Sequence, residues 1–219
     1  MTIKDYSVSQ ENFTLVYDSV LKLYRTTPLP NDLKKYYESE DYISHTDSRR
    51  TLFDKLYQWV KNYNLKHKIK LIEQYKKENV RLLDIGAGTG DFVRSGKECA
   101  HWETMGIEPS EKARTKAKEK GVLLQADFSN LLSHSFDVIT MWHVLEHVPD
   151  VTQEIELISN LLKEDGLAVI AVPNYRSWDA QHYGAYWAAY DVPRHLWHFS
   201  KDSIEQLFTT EGFELLATH

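Results

Sequence analysis

Leu82-Leu83-Asp84-Ile85-Gly86-Ala87-Gly88-Thr89-Gly90 is the stretch on which the reading of this chain turns. An apolar run ends in an acid, glycines occupy every second position, and a helical pattern opens at Asp91. Glycine permits a tight turn and leaves room for a ligand to lie against the peptide plane. Outward from this stretch, short apolar runs alternate with helical segments. Arg81–Ile85 precedes a helix from Asp91, and Glu103–Ile107 precedes a helix from Ser110. Runs at 122–125 and 136–141 follow, then a helix over 152–163 and a fifth run at 167–172. A helix over Lys201–Thr210 leads into a sixth run at 213–218. Such alternation predicts an α/β fold: a doubly wound, mostly parallel sheet with helices on both faces. The runs are continuous rather than alternating, as suits strands buried on both sides.

Composition narrows the function classes. The chain has 219 residues, 42% hydrophobic and 26% charged, which argues against disorder, collagen and coiled coil. Its longest clean apolar run, 167–173, is far below the ~20 residues of a membrane span. Residues 1–10 lack a secretory profile, and the lone Cys99 makes neither an internal disulfide nor a thiolate metal site. A reducing, cytoplasmic home is expected. Net charge −6 exerts no general pull toward nucleic acid.

Two regions differ in texture. The first 80 residues contain no glycine and read as a helical N-terminal cap, 1–79, with helices over 11–24 and 54–77. Thr27-Pro28-Leu29-Pro30 breaks the first helix, and the polar stretch 38–48 reads as a loop bearing Tyr42 and His45. Residues 80–219 read as the ligand-binding domain, carrying an insert at 173–199 dense in aromatics and histidine.

Acids close three successive runs: Asp84, Glu108 and Asp127. Glu108 lies at the ~20-residue separation at which an acid grips a ribose diol. A dinucleotide fingerprint needs a third glycine where Asp91 stands, and a carboxylate there repels a pyrophosphate. A P-loop is excluded because Gly96-Lys97-Glu98 has the wrong spacing and no hydroxyl. Acids around a glycine loop suit a nucleoside ligand with an ammonium or sulfonium.

In these residues the chain resembles the class I S-adenosylmethionine-dependent methyltransferases, from Arg81 to about Thr218. Their fold is Rossmann-like, and residues 84–90 look like their glycine-rich first motif. The resemblance implies that Asp84, Gly86 and Gly88 face the methionine part of S-adenosylmethionine and that Glu108 holds the ribose hydroxyls. It implies that Asp127 and Phe128 border the adenine. Ala87, Gly90, Pro109, Trp142, Tyr42 and His45 complete the candidate cofactor contacts, and S-adenosylhomocysteine would be the product. Trp142-His143-Val144-Leu145-Glu146-His147-Val148 is similar to a segment of the subgroup related to ubiquinone-biosynthesis methyltransferases. Residues 36–48 and 191–200 look like an uncharacterised bacterial branch. The family's final antiparallel strand has no counterpart here, and the open sheet edge that results suits a homo-oligomer.

Methyl transfer from a sulfonium is a direct displacement, which sometimes requires a proton acceptor for the nucleophile. His143, after the fourth run, and His195, in the insert, are the candidates. Asp191, His195 and His198 combine carboxylate and imidazole at spacings metal ligands can have, but Pro193 interrupts any helix through them and no metal is assigned. The expected reaction is methyl transfer to a small or medium acceptor, oxygen being the favoured nucleophile. The alternatives are a non-catalytic S-adenosylmethionine-binding partner protein and an NAD-dependent reductase.

Overall fold

The computed structural model describes residues 1–30, 32–36 and 52–219, apart from the side chains of 34 and 52–57. Tyr42 and His45 lie outside the described residues. The chain divides into two compact units. One comprises Met1–Asp47, His143–Glu156 and Val172–His219, the other Ser48–Trp142 and Leu157–Ala171.

The second unit carries the parallel sheet. Its strands are β4 (Arg81–Ile85), β5 (Glu103–Ile107), β6 (Phe136–Trp142) and β7 (Leu162–Ala171), in the order β5-β4-β6-β7 with every pair parallel. Chain order therefore reverses at β4, and ligands of open α/β sheets settle beyond strand carboxyl ends at such a point. Helix α1 (Leu52–Glu73) contributes Ile69 and Ile72 to a core with Val80, Leu82, Phe92, Trp102 and Val138. Helix α2 (Asp91–Cys99) follows β4, and α3 (Glu111–Glu119) follows β5. The Ser110 hydroxyl caps α3 by accepting the Ala113 N–H at 3.3 Å. Helix α4 (Val151–Leu161) runs directly into β7. The predicted run at 122–125 forms only one bridge, Ile107 to Gln125, because Gln125 alone exchanges backbone hydrogen bonds with β5.

The first unit contains a second sheet, which corrects the sequence reading. Residues 11–24 are not a helix. An antiparallel meander runs through β1 (Thr2–Lys4), β2 (Asn12–Asp18) and β3 (Leu23–Thr27), extended by β8 (Trp197–His198). Phe13 and Leu15 are buried while Asn12, Thr14 and Val16 face outward, the period of two that a half-buried strand requires. Asp18 then turns the chain, its Oδ1 accepting the Val20 and Leu21 N–H groups. The N-terminal cap is thus strand first, and its helix α1 belongs to the other unit.

Helix α5 (Trp178–Tyr183) opens the insert, and α6 (Lys201–Thr210) follows β8. Residues 213–218 do not form the expected sixth strand. Phe213 folds back, its N–H donating to the Phe208 carbonyl and its ring 5.2 Å from that of Phe208. Leu215 and Leu216 remain exposed, so this apolar run buries too little to hold a strand.

Candidate functional site

Asp84 leaves water entirely at the sheet's centre. Its Oδ1 accepts the Thr140 hydroxyl at 2.6 Å, and Thr140 stands opposite it on β6. Burial pushes the carboxyl up to about 7, aided by Glu108 and opposed by the Thr140 hydrogen bond and by Lys68. Lys68 comes from α1 and was missed by the sequence reading. Its Nζ lies 4.1 Å from the Trp142 ring centroid, and burial lowers its pKa against the pull of Asp84.

The glycine loop follows. Gly88 adopts φ +54°, a left-handed conformation, and the space where its Cβ would stand is open to 4 Å. A ligand can therefore lie directly on that peptide. Gly90, at φ +74°, starts α2, and a Cβ there would meet Val122 Cγ1 at 2.8 Å. Ala87 anchors the loop through its N–H to the Ile107 carbonyl, 2.9 Å.

Glu108 directly follows β5, beside the glycine loop. Oε2 accepts the Gly88 N–H and Oε1 the Ser110 N–H, each at 2.8 Å. One backbone donor per oxygen fixes the carboxylate beside the loop and leaves each oxygen a second lone pair for a ligand hydroxyl. Pro109 and Glu108 both offer carbonyls to Arg114 at 2.7 Å, which braces the turn into α3. Asp127 is exposed and spends Oδ1 on the Ser129 N–H and hydroxyl, while Phe128 is half-buried beside it. Trp142 meets Phe92 edge-on at 5.6 Å, and its indole N–H is buried without a hydrogen-bond partner. An open glycine turn thus lies beside the Glu108 carboxylate, with Asp84 near the end of the strand before it, a chemistry suited to a cationic nucleoside. The residues present fit S-adenosylmethionine.

Asp91 modifies one sequence argument. Lys61 stands 2.8 Å and Lys120 3.3 Å from Oδ2, and Thr89 donates to the same oxygen at 2.7 Å. Burial alone would raise this carboxyl, yet these partners hold it below its usual value. Its charge is thus largely balanced, and the case against a pyrophosphate rests on the missing glycine more than on repulsion.

Residues 54–218 match the methyltransferase-domain family. The chain belongs to the class I S-adenosylmethionine-dependent methyltransferases. S-adenosylmethionine is this family's cofactor, so a dinucleotide is not. The ubiquinone biosynthesis O-methyltransferase of Yersinia enterocolitica is 32% identical over 126 residues, 52% of this chain and 52% of that protein. The chain thus matches about half the length of that curated methyltransferase. A methyltransferase from Archaeoglobus fulgidus shares the fold with a TM-score of 0.57, at 22% identity over 69% of each chain. Phosphoethanolamine N-methyltransferase 2 of Haemonchus contortus gives 0.58 at 16% identity, covering 97% of this chain and 55% of that one.

In this chain the expected proton acceptors lie in the other unit. His143 has φ +59° and a side chain 66% exposed, with Nδ1 3.4 Å from Glu146 Oε1. His195 is buried, with Nδ1 hydrogen-bonded to the Ala189 carbonyl at 2.8 Å. Its ring meets His147 edge-on at 4.6 Å, and burial followed by His147 lowers its pKa. The residues Asp191, His195 and His198 do not assemble as a metal group. Asp191 is taken by Arg194, and His198 Nε2 lies 2.9 Å from Thr26 Oγ1. The Thr26 hydroxyl donates its proton to the His195 carbonyl, so His198 must be the donor to Thr26. No helix among the described residues is long and apolar enough to cross a membrane.

Proposed function

We propose that this chain transfers the methyl group of S-adenosylmethionine to a hydroxyl oxygen of a small or medium organic acceptor. The observation that carries the cofactor half is the Glu108 carboxylate, held by Gly88 and Ser110 beside an open glycine turn. The oxygen half draws on the Yersinia relative, which is named an O-methyltransferase. When bound, the cofactor supplies an electrophilic methyl on a sulfonium. The chain's own residues bind and orient it, and a proton acceptor frees the acceptor's lone pair. His143 is our first candidate for that acceptor, because its exposed ring is the more accessible; His195 is the second.

Methyl-labelled S-adenosylmethionine with a panel of phenolic and aliphatic hydroxyl compounds tests the reading. Label should pass to an oxygen of at least one compound. His143→Ala should then lower turnover roughly 10²–10⁴-fold with unchanged cofactor affinity and melting temperature. Tight cofactor binding with no transfer to any compound would favour a non-catalytic binding protein instead. Transfer at a normal rate in the variant would pass the role to His195.

A further inference from the structure

We infer that Glu146, His147 and His195 form a binding site for one divalent transition-metal ion. Among the described residues they are the one group of three His, Cys, Asp or Glu whose ligand atoms all lie within 4.8 Å of one another. Around an ion with ~2.1 Å bonds, ligand atoms stand about 3.4–4.2 Å apart, so side-chain rotation must close the group by only about 1 Å.

Glu146 makes the need for a cation explicit. It is wholly buried, and neither carboxylate oxygen has a hydrogen-bond partner. A buried carboxylate in that state is strongly disfavoured unless a positive charge meets it. The side chain that approaches, His143, reaches Oε1 only at 3.4 Å and is itself two-thirds exposed.

Both imidazoles are oriented as metal ligands are. His147 Nδ1 lies 2.9 Å from the Arg194 carbonyl and His195 Nδ1 2.8 Å from the Ala189 carbonyl. Carbonyls only accept, so each Nδ1 carries a proton, which makes Nε2 the ring nitrogen with which either imidazole can bind a metal. Metal-bound histidines are commonly fixed this way, by donating the other ring nitrogen to a carbonyl. The backbone is fixed as well. Leu196 donates its N–H to the Glu146 carbonyl at 2.8 Å, and Trp197 Nε1 donates to the Val148 carbonyl at 2.7 Å. These bonds stitch residues 146–148 to residues 194–197 before any ion arrives.

Two imidazoles and one carboxylate suit zinc or iron(II) and not calcium or magnesium, which prefer oxygen shells. Three protein ligands also leave a coordination position open for an oxygen of water or of an acceptor. The inference concerns ion binding and does not depend on methyl transfer.

Chelator-stripped full-length chain titrated with Zn(II) alone, without cofactor or acceptor, tests it by calorimetry. One equivalent should bind saturably. Glu146→Gln and His195→Ala should each weaken binding at least tenfold, while His67→Ala, at an exposed position of α1, should leave it unchanged. Buried substitutions can unfold a chain, so nitrogen NMR of the histidine rings in the unaltered protein supplies the second readout. Zn(II) should shift Nε2 of His147 and His195 and leave their Nδ1 protonated. No saturable binding, unmoved Nε2 signals, or a folded Glu146→Gln variant with undiminished affinity would overturn the site.

Discussion

A carboxyl at the end of a central strand is an expensive choice, and Asp84 shows where the expense goes. Burial raises it to about 7, so the folded chain keeps a proton between roughly pH 4 and 7 that the unfolded chain releases. The sign follows. This group's contribution to stability is fully present below pH 4, declines as pH rises through 7, and is flat above. Asp84→Asn keeps an acceptor for the Thr140 hydroxyl and removes the titration. The variant should therefore gain melting temperature relative to the natural chain between pH 5 and pH 8. Each kcal/mol is worth about 2–4 °C for a protein of this size. Scanning calorimetry at the two pH values checks it; parallel shifts would mean that Asp84 is already ionised. Asp84 was readable from sequence as the acid ending an apolar run. Lys68 was missed, although Leu65, Lys68, Ile69 and Ile72 repeat at helical spacing and put a lysine on the core face of α1. An isolated lysine in a charged helix simply carries no mark of the carboxylate it will face.

At the scale of elements, the parallel strands were legible because each is an uninterrupted apolar run, whereas the meander hid in plain alternation. In Asn12-Phe13-Thr14-Leu15-Val16-Tyr17 the period of two competes with enough apolar residues to mimic a helix. What ties that meander to the insert was not legible, because the tie spans most of the chain. Arg194, only 2% exposed, donates to Asp191, to the Ser7 hydroxyl at 3.0 Å and to the Tyr36 carbonyl at 3.3 Å. Asp5, buried at the start of the chain, lies 3.7 Å from the same guanidinium. Removing one partner of a buried charge set strands the others, so Arg194→Ala should cost about 3–5 kcal/mol. Arg194→Lys should recover only part, since an ammonium cannot reproduce the fork. Chemical denaturation of the three proteins measures both. A loss below ~1 kcal/mol in the alanine variant would show that the buried network holds nothing together.

For the whole molecule, the candidate site legible in sequence was the one built from consecutive residues at strand ends: Asp84, the glycine turn and Glu108. The histidine cluster of the other unit was legible only as a concentration of imidazoles, because Glu146 and His195 meet through folding across 48 intervening positions. The structure adds what spacing cannot, that Glu108 is already locked by two backbone N–H groups before a ligand arrives. Such preorganisation leaves binding energy for the cofactor rather than for ordering the loop. Calorimetric titration of the full chain with S-adenosylmethionine, beside Glu108→Ala, tests this account most directly. Charge-assisted hydrogen bonds to the ribose are worth ~1.5–3 kcal/mol each, so the variant should bind at least tenfold more weakly, with NAD binding neither protein. Equal affinity for S-adenosylmethionine in the two proteins would contradict it.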